Sequence, residues 1–191
     1  MFDRRTRDPE MPTEASGGFV ARSTPEVDPN LSHRFMQRDS SWASTMSEPL
    51  TLLSLVVAAF FTGAAVYVNA VEHPARRHLD PPAALKEWQP AYKRGAAMQS
   101  TSALVGFVLA AAAAWRGAGP FVALGAALII APWPWTYLAI MPLNRRLLAL
   151  TPGEAGSDVH SMLDRWDALH RVRTLLGAAA TASLFLASLL S

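Results

Sequence analysis

Cysteine is absent from the 191-residue chain, which excludes disulfides, thiolate metal sites and thiol nucleophiles and leaves any metal to nitrogen and oxygen ligands. Charge is sparse as well, 17% of residues against 51% hydrophobic. Its placement matters more than its amount: Pro49 to Val71, Gly95 to Trp115, Gly117 to Asn144 and Thr174 to Ser191 contain no acid or base. At about 1.5 Å per helical residue, each stretch is long enough, or nearly so, to cross a hydrocarbon core of about 30 Å. The net charge of +2 and the pI near 9.4 come from Lys and Arg beside the apolar segments, not along one surface face, which argues against a nucleic-acid partner. The predicted fold is all-α, a four-helix transmembrane bundle with helices over about 50–73, 95–116, 120–143 and 166–190, so its first partner is the lipid bilayer.

Residues 1–48 have a different composition. Asp3, Arg4, Arg5, Arg7, Asp8 and Glu10 are followed by Pro12, Pro25 and Pro29 among Ser, Thr and Gly, with no helical or strand periodicity. This predicts a disordered polar tail before a membrane domain over 49–191. Met46, just before the first apolar run, is an alternative start that would leave residues 1–45 untranslated. Of the 17 Lys and Arg, six lie in the tail, five between Arg76 and Arg94, one at Arg116 and five between Arg145 and Arg173. Chain direction alternates between crossings, so the first and third connections share a face and carry most of the cations. Positive-inside reasoning places that face in the cytoplasm of a multi-pass cell-membrane protein, with both termini outside.

Polar side chains collect on the same face: Asn69, Glu72, His73, Arg76, Tyr92, Arg94, Asn144, Trp166, His170 and Arg173, against little besides Arg116 opposite. Such groups are costly near lipid unless partnered or facing a cavity, so this mouth is where function is sought. In helix one, Gly63, Ala64 and Ala65 offer a close-approach surface. Asn69 and His73 share a helical stripe, as do Glu72 and Arg76, while adjacent Glu72 and His73 point about 100° apart. Pro74 is expected to kink or stop the helix at His73, and Asp80-Pro81-Pro82 reads as a turn leading to a short amphipathic piece around Leu85 to Tyr92. Pro132 and Pro134, between Trp133 and Trp135, interrupt the amide ladder of helix three. This predicts a cavity behind the break, with the freed carbonyls taken up by neighbouring helices, Thr136 or water. Trp166, His170, Arg173 and Gly177 fall on one stripe of helix four. The halves also echo each other, Pro74-Ala-Arg76-Arg77 against Pro142-Leu-Asn-Arg145-Arg146, though with unequal spacing from proline to the following tryptophan.

Glu72-His73-Pro74-x-Arg76, Trp88-x-x-x-Tyr92, Thr136 with Met141-Pro142-x-Asn144, and Arg165-Trp166-x-x-x-His170-x-x-Arg173 together resemble a family of four-helix membrane proteins that includes anthrone oxygenases. The similarity spans roughly Leu50 to Leu190 and leaves the tail outside. It implies a small integral membrane protein and, for members with a known activity, cofactor-independent oxidation of anthrones to anthraquinones by oxygen. Such a monooxygenase needs a base and an oxyanion partner. His170 or His73 is the base expected here, since histidine titrates nearest working pH, with Arg173 and Asn144 stabilising the oxyanion. Glu72, Arg76, Tyr92 and Trp166 complete the expected site, the aromatic rings offering flat surfaces to a lipophilic aromatic substrate arriving from the bilayer.

Plainer readings stand beside these. His73 would cap a carbonyl, Glu72 and Arg76 would form an interfacial ion pair, Trp88 and Trp166 would be aromatic-belt anchors, and Arg77, Arg145, Arg146 and Arg171 would be topology charges reaching for lipid phosphates. His33, His78 and His160 are expected to have no role. No cofactor is favoured; the alternative enzyme is a metal-dependent oxidoreductase using Glu72, His73 and His170 to bind copper, iron or zinc. A non-catalytic membrane binding or scaffold protein is the third reading.

Overall fold

The computed structural model describes residues 31–190, with side chains from Met46 onward. Most of the expected polar tail, residues 1–30, lies outside the described residues, but from Leu31 the backbone is helical, so that helix reaches back into the stretch expected to be irregular. Four helices are long and apolar enough to cross a membrane: α1 (Met46–Arg76), α2 (Pro81–Trp115), α3 (Pro120–Ala149) and α4 (Asp158–Leu190).

Each extends beyond the apolar run that marks it, because a helix leaving the hydrocarbon changes its residues without changing its backbone. At 35 residues α2 is about 52 Å long, well over the hydrocarbon thickness. Its N-terminal part is the amphipathic piece expected to be separate. The two prolines expected to hold a turn instead open the helix, where their missing amide hydrogens cost nothing, and the Asp80 carboxylate caps it by accepting from Ala83 N–H at 2.7 Å. Gln89 on α2 donates to the carbonyls of Leu147 (3.0 Å) and Leu150 (2.9 Å), satisfying the exposed end of α3. In the loop that follows, the Glu154 carboxylate accepts from the backbone N–H and hydroxyl of Thr151, and these bonds hold it below the usual carboxylate range.

Both odd-numbered helices carry the same irregularity. π-helical turns at Val68–Glu72 and Thr136–Ile140 each end two residues before a proline, Pro74 and Pro142. The proline ring would strike the carbonyl four residues back in a regular helix. Widening the preceding turn relieves this: His73 N–H bonds Val68 O, and Met141 N–H bonds Thr136 O. Helix one therefore continues through Pro74 to Arg76 instead of stopping at His73. The two halves thus share a backbone device as well as a sequence pattern.

Around the bundle, α1 packs on α2 and α4, and α3 on the same two. One apolar cluster, with Phe61, Ala103, Ile129, Ala180 and Leu184, fills the end away from the polar face. A second, with Leu85, Trp88, Ile140, Leu147, Leu163 and Trp166, fills the end toward it. Of the expected close-approach surface, Ala65 is fully buried but Gly63 is exposed with nothing near a Cβ added there; glycines that do meet a neighbour closely are Gly125 on α3, where such a Cβ would lie 2.6 Å from Leu184, and Gly177 on α4, 2.8 Å from the buried Phe61 ring. Gly177→Leu is expected to destabilise the bundle by about 1–3 kcal/mol through overpacking, with Gly63→Leu near neutral. Unfolding midpoints of the two variants in one detergent check this.

Candidate functional site

Between the two apolar clusters, polar side chains from α1, α2, α3 and α4 meet. Their centre is an Asn144 side chain with no exposure. Trp166 Nε1–H, which can only donate, bonds Asn144 Oδ1 at 2.8 Å, and this fixes the amide orientation. Asn144 Nδ2 therefore donates to the Tyr92 hydroxyl at 2.9 Å. With its oxygen accepting there, Tyr92 keeps its own hydrogen to donate elsewhere. Its ring stacks on Trp88 at 4.9 Å, and Trp88 meets the edge of Trp166 at 5.7 Å. Neither tryptophan is the belt anchor that its sequence position suggests: both are buried, stacked and part of the core.

His170 is held in a second network. Asn69 donates to the buried Asp167 carboxylate at 2.7 Å, and its Oδ1 accepts from the Thr174 hydroxyl. His170 Nδ1 lies 3.3 Å from that same Oδ1. In the neutral imidazole an acceptor facing Nδ1 makes it the protonated nitrogen and leaves the Nε2 lone pair free. Asp167 is in turn held by Arg171, which bonds Oδ2 through Nε (3.0 Å) and Nη2 (2.7 Å), so Arg171 is more than a surface topology charge. The imidazole also stacks on Trp166 at 4.9 Å.

Arg173, one turn along, is 7% exposed. Its Nη2 donates to Gln99 Oε1 at 2.8 Å, the guanidinium lies 5.9 Å from the centre of the Phe61 ring, and Nε has no partner. No carboxylate of the described residues forms an ion pair with it.

Two cavities meet at this point. The inner one, about 40 Å³, is bordered by Glu72, Arg76, Trp88, Trp166 and His170. The outer one, about 650 Å³, is apolar, lined by Phe61, Ala103, Pro132, Trp133, Pro134 and Met141, and lies behind the proline break as the sequence suggested. Tyr92, Ala96, Gln99 and Arg173 line both. Tyr137 and Leu138, at 68% and 75% exposed, are at the rim of the outer cleft, so it opens on the lipid-facing surface between α2 and α3. Thr136 Oγ1, expected to satisfy a freed carbonyl, has no partner, and Trp133 and Trp135 donate outward to the carbonyls of Ser100 on α2 and Leu169 on α4.

His73 is apart from this cluster. Glu72 faces the inner cavity, and the rotation of about 100° per residue turns its neighbour away. His73 Nε2 lies 3.1 Å from Asp164, not against a carbonyl, and Arg77 Nε reaches the same carboxylate. Glu72 and Arg76 do form an ion pair, with Glu87 as a third member. Glu72, His73 and His170 consequently do not converge, and among the described residues no group of three His, Cys, Asp or Glu side chains is placed to hold a metal ion. His78 makes no side-chain contact of note, His160 ties α4 to the Leu79 carbonyl, and His33 lies outside the described side chains. Sequence reasoning missed Gln99, Asp167 and the burial of Trp88. Only Asp167 carried a signal, its four-residue spacing to Arg171.

Chemically, the arrangement offers an imidazole with one nitrogen free of protein partners and a group of N–H and O–H donors beside a cleft of ligand size. The family model of anthrone oxygenases matches residues 88–183. That range contains Trp88, Tyr92, Gln99, Asn144, Trp166, Asp167, His170 and Arg173 and leaves α1 outside. No curated protein and no solved structure matches the chain. Half the chain falls within the matched range, and this four-helix membrane protein belongs to the anthrone oxygenase family.

Proposed function

We propose that the protein oxidises a flat, lipophilic anthrone-type substrate with dioxygen and without a cofactor, at the polar face of the bundle. The observation that carries this reading is the juxtaposition of a 650 Å³ apolar cleft, open toward lipid, with a wall made of Tyr92, Gln99 and Arg173 and with His170 behind it. The rings occupy the cleft, and the ring carbonyl oxygen meets the donors of Tyr92 and Arg173. His170 Nε2 takes the carbon-bound proton through the inner cavity, which has room for a bridging water.

The enolate passes one electron to dioxygen, and the carbon radical and superoxide combine to a peroxide that takes up the proton from His170. Loss of the second proton from the same carbon, with cleavage of the O–O bond, forms the new carbonyl and releases hydroxide, which is protonated to water. The sum converts a methylene and dioxygen to a carbonyl and water. Arg173 and Tyr92 stabilise charge that exists only after deprotonation, which is where stabilisation accelerates the reaction. The excess of Lys and Arg on this face supports a cytoplasmic orientation for it.

Membranes bearing the protein, given anthrone, are expected to consume one dioxygen per quinone formed and release no peroxide. Uptake equal to that of membranes with Arg173→Met protein overturns the reading. The purified protein is expected to retain activity after exhaustive chelation, and loss restored by a single metal would favour the metal-dependent alternative.

A further inference from the structure

Three N–H donors with no acceptor in the protein belong to residues that border the inner cavity: Arg76 Nη1, Trp88 Nε1 and Arg173 Nε. All three side chains are more than nine-tenths buried. Tyr92 adds a fourth donor, its oxygen already occupied by Asn144. Leaving a buried donor unmatched costs about 1–3 kcal/mol, and of the two arginines Arg173 also lacks an ion-pair partner among the described residues. The acceptors on hand are few. His170 Nε2 is one; the Glu72 carboxylate, which also borders the cavity, is bound by Arg76 Nη2 at 2.9 Å.

Charge points the same way as hydrogen bonding. Arg76 is balanced by Glu72 and Glu87, whereas Arg173 has no carboxylate among the described residues. A buried cation without a counter-ion is strongly disfavoured. Water alone answers this poorly, since each molecule brings two lone pairs, no charge, and two hydrogens that need acceptors of their own. An anion of two or three atoms brings several lone pairs, no hydrogens and the missing charge, and it suits a space of about 40 Å³, too small for any aromatic ligand.

We infer that the inner cavity is a binding site for a diatomic or triatomic anion, held by Arg173. The site stands on its own geometry. If the oxidation proposed above is correct, superoxide is the natural occupant during turnover: electron transfer from the enolate to dioxygen creates it, and Arg173 lies on the wall shared with the substrate cleft.

Azide is a suitable probe, being a triatomic anion whose infrared stretch reports its surroundings. Full-length protein in detergent, without any aromatic substrate, is expected to bind azide saturably at one site with a shifted stretch. Arg173→Met should lose binding. Arg173→Lys, which keeps the charge and loses the planar fork of donors, should weaken it about three- to tenfold with the bundle still folded. Arg116→Gln, at the opposite face, should leave it unchanged. No saturable binding, equal binding by Arg173→Met, or equal loss in Arg116→Gln overturns the assignment. Quinone formation without azide binding would sink this site and leave the oxygenase reading standing, while azide binding without oxidation would do the reverse.

Discussion

Glutamine in place of His170 is expected to lower kcat for anthrone oxidation by about 10²–10⁴-fold with little change in KM, the range typical for loss of a positioned general base. In the proposed reading the substrate rings occupy the outer cleft, which His170 does not line, so ground-state binding should survive the substitution. His73→Ala supplies the contrast: that imidazole faces Asp164 outside both cavities, and kcat is expected to stay within about twofold. Equal losses in both variants would show that the histidines matter to folding and not to chemistry. Asn69 is a positioning residue in this scheme, because its carbonyl oxygen selects the Nδ1–H tautomer of His170. Asn69→Leu should reduce kcat less than His170→Gln does, and it should convert a single tautomer to a mixture in the ¹⁵N spectrum of labelled His170. A purely structural role for Asn69 would leave the tautomer ratio untouched.

The contrast between the two histidines also marks how far the sequence could be read. Helix four was legible because Trp166, His170, Arg173 and Gly177 share one element, where a period of 3.6 residues decides which side chains align. All four are buried. On helix one the same rule separates Glu72 from His73 by about 100° but leaves open which of them faces inward. Packing against α4 decides it, by bringing Asp164 to His73. Gln99 could not be read at all, since a single amide in an Ala-rich helix gains meaning only from Arg173, a residue 74 positions away. Trp88 was misread for a related reason: a lone tryptophan near the end of an apolar run fits the headgroup pattern, and only its stacking on Tyr92 and Trp166 shows that it belongs inside. The four crossings were evident from uncharged runs, yet their ends were not, because a helix that continues into water loses its apolar signal while keeping its backbone hydrogen bonds.

Arg173→Met is expected to lower kcat by about 10²–10³-fold, the cost of removing an oxyanion donor from a site with little water. The guanidinium is buried, its Nε is unpaired and it borders both cavities, so one side chain can meet the substrate oxygen on one side and reduced dioxygen on the other. Lysine is expected to rescue poorly, because a single ammonium cannot hold Gln99 and still present a second donor in the planar arrangement that guanidinium fixes. Tyr92→Phe should cost less, since it removes a neutral donor but leaves the stack on Trp88. If Tyr92 and Arg173 serve the same oxygen, their effects are coupled, and the double variant should be less impaired than the product of the two single losses. Independent, multiplying effects would place the two donors on different atoms, with Tyr92 acting on the substrate carbonyl and Arg173 on the peroxide. Steady-state kinetics of the four proteins, measured together with their azide affinities, separates these arrangements: only the second lets Tyr92→Phe slow turnover without weakening the anion site.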